Sequence, residues 1–284
     1  MLNKIITRIS TVLLLCLALN SVASDEKREA EMAVDVQKTL NLGHAVWLEA
    51  DKKKFLGLFT DTAKNPRSGM VILLHDTGGH PNQQAVIKNL RAFFPQHRWA
   101  TLSIQLPVHE ASAPVQDYYS LFPEAKNRLA AAIEFAKNEK AEKIAIVGYG
   151  LGSLMATYAL SETKNEAVTA LVTISLPVPE TTENTAQTLQ FIPKISQPML
   201  DIFAENDMPD VVRSARDKAV AGKINPHYRQ VQIDHEGHFF LHDDGVLVKR
   251  IYSWLNSEEL KKIEQAKKEE AQAKKQEPTN FTKP

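Results

Sequence analysis

The sequence has almost no cysteine. The 284-residue chain contains one, Cys16, which lies inside an apolar run at residues 9–19. We expect that run to be removed with a signal peptide, which leaves a mature chain without cysteine. Disulfide bonds, thiolate nucleophiles and cysteine-ligated metal sites are therefore excluded from the predicted mature protein.

The chain also lacks net charge, because 34 Lys and Arg residues balance 34 Asp and Glu residues. A neutral chain has no basic field to attract a polyanion, so nucleic acid is not an expected partner. The apolar run is shorter than the roughly 20 residues that span a bilayer. With Lys4 and Arg8 near its start and small residues at 21–23, it indicates a secretory signal peptide over residues 1–23. We expect an exported protein of the periplasm or cell envelope, without a membrane span after signal removal; an uncleaved membrane anchor is the alternative.

Strand-like and helix-like patterns alternate between residues 45 and 254. The runs that predict strands cover residues 45–50, 55–60, 70–74, 99–106, 143–147, 167–174, 198–203 and 228–233. Helical patterns lie at residues 82–94, 124–137, 151–160, 211–220 and 246–254. This alternation predicts a single α/β domain, a three-layer sandwich whose mostly parallel sheet has helices on both faces.

A charged segment follows the predicted domain, which covers residues 24–256. Residues 257–276 mix acidic and basic side chains with almost no apolar stripe. We expect a solvated helix held by ion pairs between successive turns, followed by disorder up to residue 284. A tail that binds a protein partner is the alternative.

A glycine-rich turn between a predicted strand and a predicted helix is the most informative motif. Gly148, Gly150 and Gly152 alternate where the strand at 143–147 runs into the helix at 151–160. This layout matches the G-x-S-x-G nucleophile elbow, in which a serine lies at the tip of the turn. Here the tip is Gly150, so the hydroxyl that would attack a carbonyl is missing. Glycine also relieves the strain at such a tip, which costs other residues of order 1–3 kcal/mol.

The order of elements and this turn together resemble the α/β-hydrolase superfamily. Within it, the chain resembles a bacterial family of exported proteins that is defined as a domain of unknown function. The resemblance extends over residues 45–254. It implies a crevice at the carboxyl ends of the strands and a triad in the chain order nucleophile, acid, histidine.

The resemblance assigns the acid and the histidine to two loops. The acid belongs after the strand at 198–203, where Asp207 matches best, and the Gly-His-Phe pattern after the last strand indicates His238. A buried carboxylate that accepts from one ring nitrogen fixes the tautomer and leaves the other nitrogen as a base. The alternative is that Asp207 caps a helix and His238 is a packed histidine.

The oxyanion hole of the family corresponds to two backbone segments of this chain. The loop after the strand at 70–74 contains Gly78 and Gly79, and glycine lets backbone N–H groups approach an anion to ~3 Å. The second donor would be the N–H group of Leu151, which follows the elbow tip. The alternative for the glycine pair is an ordinary strand-to-helix turn.

Two substitutes for the missing nucleophile can be considered. Ser153 is the nearest hydroxyl, but it lies within the helix, displaced by about a turn from the tip. The other is a water activated by a metal, for which imidazole and carboxylate groups would be the ligands. Such side chains crowd at Asp234, His235, His238, His242, Asp243 and Asp244, in no recognised metal-binding spacing.

From these patterns we predict an exported pseudoenzyme with the α/β-hydrolase fold and a degenerate triad. We expect it to bind a small-molecule or acyl ligand in its crevice, or to bind a protein partner. We expect no cofactor and no resident metal. The alternative is an ester or acyl hydrolase that uses Ser153 or a bound metal. If the remaining triad partners are in place, Gly150→Ser is expected to create weak esterase activity.

Overall fold

An eight-stranded sheet organises the part of the chain that the computed structural model describes, residues 24–276. Its order is β1-β2-β4-β3-β5-β6-β7-β8, antiparallel from β1 to β4 and parallel elsewhere. The strands are β1 (His44–Ala50), β2 (Lys53–Thr60), β3 (Gly69–Leu74), β4 (Trp99–Ile104), β5 (Ile144–Tyr149), β6 (Val168–Ile174), β7 (Met199–Asn206) and β8 (Tyr228–Gly237). The predicted signal peptide and residues 277–284 lie outside the described range.

Helices cover both faces of this sheet, so the predicted α/β sandwich is confirmed. The helices are α1 (Glu26–Lys38), α2 (Val86–Phe93), α3 (Phe122–Asn138), α4 (Leu151–Glu162), α5 (Thr188–Phe191), α6 (Pro209–Arg213), α7 (Ala215–Gly222), α8 (Val246–Leu255) and α9 (Glu258–Gln276). Helix α2 begins four residues later than predicted, because Ala85 before it has a left-handed φ of 56°. The helix predicted at 211–220 is two helices, which meet at Ser214.

The core lies on both sides of the central strands, as β3 illustrates. Met70 and Ile72 pack in a cluster with residues of α3 and α4, whereas Val71 and Leu73 pack with residues of α2 and α8. Side chains alternate between the faces of a strand, so a strand buried on both faces has a continuous apolar sequence. Burial of each such side chain stabilises the fold by about 1.5–3 kcal/mol.

The parallel strands β3, β5, β6, β7 and β8 end at one edge of the sheet. The loops that follow them therefore meet there, although they are far apart in the sequence. These loops contain the predicted elbow and the predicted acid and histidine. The fold thus provides the crevice in which a site would lie.

The predicted charged tail forms helix α9, whose first turns pack against the domain. Leu260 is buried in the same cluster as α8, Ile263 packs against that cluster, and Glu264 pairs with Lys143 at 2.5 Å. Among residues 24–276, no helix is both long enough and apolar enough to cross a membrane.

Candidate functional site

The elbow has the backbone geometry that its glycines predict. Gly150 joins β5 directly to α4 and has φ 55° and ψ −122°, a conformation that glycine adopts without strain. Gly152 packs closely on the end of β3, since a Cβ atom at this position would lie 2.3 Å from the carbonyl oxygen of His75. The strand, the sharp turn and the helix therefore form as in a nucleophile elbow, without a side chain at the tip.

The carboxylate of Asp76 fills the space above the tip. A Cβ atom built on Gly150 would lie 2.0 Å from Asp76 Oδ1 and 2.1 Å from its Cγ. Asp76 Oδ1 accepts hydrogen bonds from the N–H groups of Leu151 and Thr77, both at 2.7 Å. Two converging backbone donors are what an oxyanion hole provides, and here a side-chain oxygen already occupies them.

The backbone of Asp76 is fixed on both sides. Its N–H group donates to Gln83 Oε1 at 3.0 Å, and its carbonyl oxygen accepts from His75 Nδ1 at 2.8 Å and from Gly79 N–H at 3.0 Å. Burial lowers the pKa of His75 to about 4, so this imidazole is neutral. Its Nε2 accepts from Leu106 N–H, so the proton lies on Nδ1 and is donated to Asp76. The carboxylate is therefore held in place by a rigid turn.

The oxyanion donors predicted in the 75–80 loop differ from those that converge in the structure. Leu151 donates as the sequence suggested, but its counterpart is Thr77. The N–H group of Gly79 is used within its own turn, and the carbonyl oxygen of Gly78 accepts from Arg28 at 3.2 Å. The glycines shape the loop, whereas the residue directly after Asp76 points its N–H group at the crevice.

His238 lies between two carboxylates. Its Nδ1 donates to Asp207 Oδ1 at 2.7 Å, and its Nε2 is 3.0 Å from Asp76 Oδ2. Tyr149 stacks on the imidazole with ring centroids 5.1 Å apart, and its hydroxyl donates to the carbonyl oxygen of His238. Burial alone would lower the pKa of His238, but the hydrogen bonds and charges of Asp207 and Asp76 raise it to about 9. At neutral pH the ring is an imidazolium that donates from both nitrogens.

Asp207 is the better shielded of the two carboxylates, and its side chain is fully buried. Besides His238, it accepts from the hydroxyl of Ser175 at 2.6 Å, from Ala204 N–H at 3.0 Å and from Met208 N–H at 2.8 Å. Burial raises the pKa of Asp207, but these hydrogen bonds outweigh it and hold the pKa below its ordinary value. The predicted acid and histidine thus meet, while their catalytic roles remain a prediction.

The space beside Asp76 is very small. The cavity there, lined by Leu106, Tyr118 and Met155 among others, has a volume of about 10 Å³. That is about the size needed for one water molecule. This cavity therefore has no room for an acyl chain.

Ser153, the predicted substitute for the missing nucleophile, is buried and bonded to the backbone. Its side chain is completely buried, and its hydroxyl donates to the carbonyl oxygen of Gly150 at 2.6 Å. The first turn of α4 directs this hydroxyl back to the helix start. A nucleophile must lie within hydrogen-bond reach of its base, and Ser153 bonds to the backbone instead.

The crowded His and Asp residues near the end of β8 do not form a metal site. In the described part of the chain, no group of three or more His, Cys, Asp or Glu side chains is arranged to hold a metal ion. His235 is almost fully exposed and faces Glu205, whereas both ring nitrogens of His238 contact carboxylates, those of Asp207 and Asp76. Their closeness in the sequence therefore does not bring their side chains together.

Two residues of the site were not predicted in the roles that the structure gives them, Asp76 and Ser175. Asp76 lies two residues after the end of β3, and Ser175 directly follows β6. Both strands end at the crevice edge. Ser175 also has a left-handed φ of 53°, which costs a non-glycine residue energy and is frequent at functional sites. Position at a strand end was the available signal, but the sequence does not give the direction of the side chains.

Comparisons with known proteins agree with this architecture. Residues 18–128 and 123–257 match the family described as "Protein of unknown function (DUF3530)". The esterase Pf2001 from Pyrococcus furiosus superposes with a TM-score of 0.61 at 18% identity, covering 75% of this chain and 88% of its own. Dienelactone hydrolase from Anabaena variabilis superposes with a TM-score of 0.59 at 21% identity, covering 75% of this chain and 95% of its own. Est1E from Butyrivibrio proteoclasticus superposes with a TM-score of 0.59 at 15% identity, covering 74% of this chain and 97% of its own. At these identities the likeness concerns the fold alone. A search of curated protein sequences gives no significant match.

Proposed function

Because the chain belongs to the family described as "Protein of unknown function (DUF3530)" and has the α/β-hydrolase fold, we propose that it is a non-hydrolytic binding protein, exported to the periplasm or cell envelope. In this proposal the crevice keeps the hydrolase framework but forms no acyl-enzyme. The ligand or partner is held and released unchanged.

One observation carries the proposal, the position of the Asp76 carboxylate. It lies where the elbow side chain would begin, and its Oδ1 takes both N–H donors that would stabilise an oxyanion. A substrate carbonyl would have to displace an anion from these two donors before any attack. The carbonyl would then meet Gly150, which has no atom that can attack it.

The electrostatics of His238 support the same conclusion. A general base must be unprotonated at working pH, with its free nitrogen directed at the nucleophile. The pKa of His238 is raised to about 9, and its Nε2 proton is directed at Asp76. Since this imidazolium also occupies Asp76 Oδ2, both oxygens of the carboxylate are engaged, which argues against Asp76 as a nucleophile in its own right.

Exposed apolar side chains next to the crevice support a binding role. Met208 follows Asp207 and is 51% exposed, and Phe239 follows His238 and is 59% exposed. Large apolar groups of this kind, on loops held by a rigid sheet, are frequent at contact sites. A ligand or partner that rests on them would lie directly above the Asp76–His238–Asp207 group.

The decisive experiment is a search for acylation. We expect that a fluorophosphonate probe leaves the intact mass unchanged, and that short p-nitrophenyl esters turn over at the rate of buffer. A serine esterase treated in parallel serves as the positive control, and His238→Ala is the matched variant. A phosphonyl adduct on any side chain, or turnover that disappears in His238→Ala, would remove the proposal.

Export can be tested separately. When the gene is expressed with its N-terminal segment in a Gram-negative host, we expect the protein in the periplasmic extract, with Ser24 as its first residue. The measurement is intact mass combined with N-terminal sequencing. Recovery of a full-length chain in the membrane fraction would favour the uncleaved anchor instead.

A further inference from the structure

A buried ionic cluster lies where helix α1 meets helix α3, apart from the crevice group. Arg128 of α3 pairs with Glu29 of α1 at 2.8 Å and with Glu124 of its own helix at 2.6 Å. The side chains of Arg128 and Glu29 are buried, and that of Glu124 is mostly buried. Charged groups removed from water in this way stabilise a fold only when their charges are compensated.

The cluster carries one more negative charge than positive charge, because one guanidinium faces two carboxylates. The next cation is Lys53, whose Nζ is 4.0 Å from Glu124 but 2.8 Å from a third carboxylate, that of Glu26, so this pair leaves the imbalance unchanged. Burial raises the pKa of Glu29 above its ordinary value although Arg128 is beside it, and the charge of Glu124 raises it further. One additional cation next to Glu124 would balance the cluster.

Ser24 contacts this cluster directly. It is 6% exposed, and its hydroxyl donates to Glu124 Oε1 at 3.0 Å and lies 3.5 Å from Arg128 Nη2. The backbone that follows is fixed as well, since the N–H group of Asp25 donates to the carbonyl oxygen of Val108 at 2.7 Å. Bond lengths place the nitrogen of a serine within about 4 Å of its own hydroxyl oxygen, so the Ser24 nitrogen lies within about 7 Å of the Glu124 carboxylate.

We propose that the α-ammonium group of Ser24, created when the predicted signal peptide is removed, is the cation that balances this cluster. Hydrolysis of the bond between Ala23 and Ser24 consumes one water; Ala23 leaves with the carboxylate, and the released amine takes up a proton at neutral pH. The inference rests on the proposed export of the chain, but it does not depend on what the crevice binds. Removal of the signal thereby fastens the new N-terminus to α3.

Helix α1 connects this cluster to the crevice. The buried apolar residues of α1 are Ala33 and Val36, both in its second half, so its first turn is held mainly by polar contacts. In that turn Arg28 donates to the carbonyl oxygen of Gly78 at 3.2 Å, and Gly78 belongs to the turn that fixes the Asp76 carboxylate. The charge released by processing therefore stabilises the start of α1 and, through Arg28, the loop beside the elbow.

Three chains that differ only at the N-terminus test the proposal. The first begins with the free amine of Ser24, the second has this amine acetylated, and the third keeps residues 21–23, which moves the ammonium group about 10 Å along the chain. In scanning calorimetry we expect the second and third chains to unfold about 2–4 °C below the first. In hydrogen exchange we expect the amides of the first turns of α1 to exchange severalfold faster in them, while those of α8 are unchanged. Equal midpoints and equal exchange in all three chains would overturn the proposal.

Two variants identify the partner of the ammonium group. Glu124→Gln removes the excess carboxylate, so acetylation of Ser24 is expected to change the unfolding midpoint little in this variant. Glu134→Gln, which changes an exposed carboxylate on the same helix, is the matched control and should keep the full effect. An effect of acetylation that is equally large in both variants would contradict the assignment.

The outcome can be separated from the outcome of the export experiment. The three chains are produced with defined N-termini, so equal behaviour among them would leave the proposed export intact. A periplasmic protein whose first residue is not Ser24 would confirm export and overturn the role of the Ser24 amine. An uncleaved chain in the membrane fraction would overturn both.

Discussion

Replacing Asp76 by glycine and Gly150 by serine in the same chain is expected to create esterase activity that neither replacement gives alone. Removal of the Asp76 side chain frees the N–H groups of Leu151 and Thr77 for an oxyanion and makes room for a side chain at the elbow. His238 then loses one of its two carboxylates, so its pKa falls and it can accept a proton from the new serine. With p-nitrophenyl acetate as substrate, we expect turnover at least ~10³-fold above either single variant.

The single variants test the explanation. Gly150→Ser alone would push its Cβ atom into the Asp76 carboxylate, which hydrogen bonds from Thr77, Leu151 and His238 hold in place. The sequence predicted weak esterase activity for this variant, and the structure gives the physical reason why it should be inactive and less stable. Asp76→Gly alone lacks a nucleophile. If the double variant is no faster than the same protein with His238→Ala added, the remaining groups are not aligned for catalysis.

The stability of the protein is expected to fall as the pH rises from about 6.5 to about 9. The folded-state pKa of His238 is raised from its ordinary 6.5 to about 9. The contribution of His238 to the free energy of unfolding is therefore fully present below pH ~6.5 and is lost as the pH rises through the folded-state pKa. The side chain is only 11% exposed, and a shift of this size corresponds to a loss on the order of 2–3 kcal/mol in the free energy of unfolding.

The matched control for this prediction is Asp76→Asn, which keeps the shape of the side chain and removes its charge. We expect the His238 pKa, followed by NMR, to move down in this variant, and the alkaline loss of stability in urea titrations to become smaller. At acid pH the stability changes in the opposite direction, because the hydrogen bonds of Asp207 lower its pKa in the folded state. Its contribution to the free energy of unfolding is therefore lost as the pH falls through this lowered pKa. A wild-type His238 that titrates near 6.5 would contradict the paired arrangement.

The fold could be predicted from the sequence because its signals are local. The continuous apolar sequence of β3 follows from burial on both faces, and the alternate glycines of the elbow follow from backbone geometry and close packing. The same holds for Asp207 and His238, whose loops lie at fixed places in the chain order of the fold. The interruption at Ser214 and the late start of α2 depend on single residues, which periodicity does not resolve.

The use of the site could not be predicted, because it depends on where one side chain points. Asp76 lies in a loop that the sequence associated with backbone donors, and nothing local shows that its carboxylate turns back onto those donors. The expected pair of Asp207 and His238 is therefore joined by Asp76 in a group of three. His238, which was expected to be a base, is a cation there. An electrostatic arrangement of this kind is visible only when residues 76, 150, 207 and 238 are placed together.

The fit between Asp76 and Gly150 has a consequence for variants of this chain. A lone serine at position 150 would collide with the carboxylate, and a lone loss of the carboxylate would leave His238 with one partner and the elbow still bare. Each single replacement therefore leaves the crevice without an aligned nucleophile. Positions 76 and 150 are in direct contact, so we expect the effects of their two replacements on stability to be non-additive.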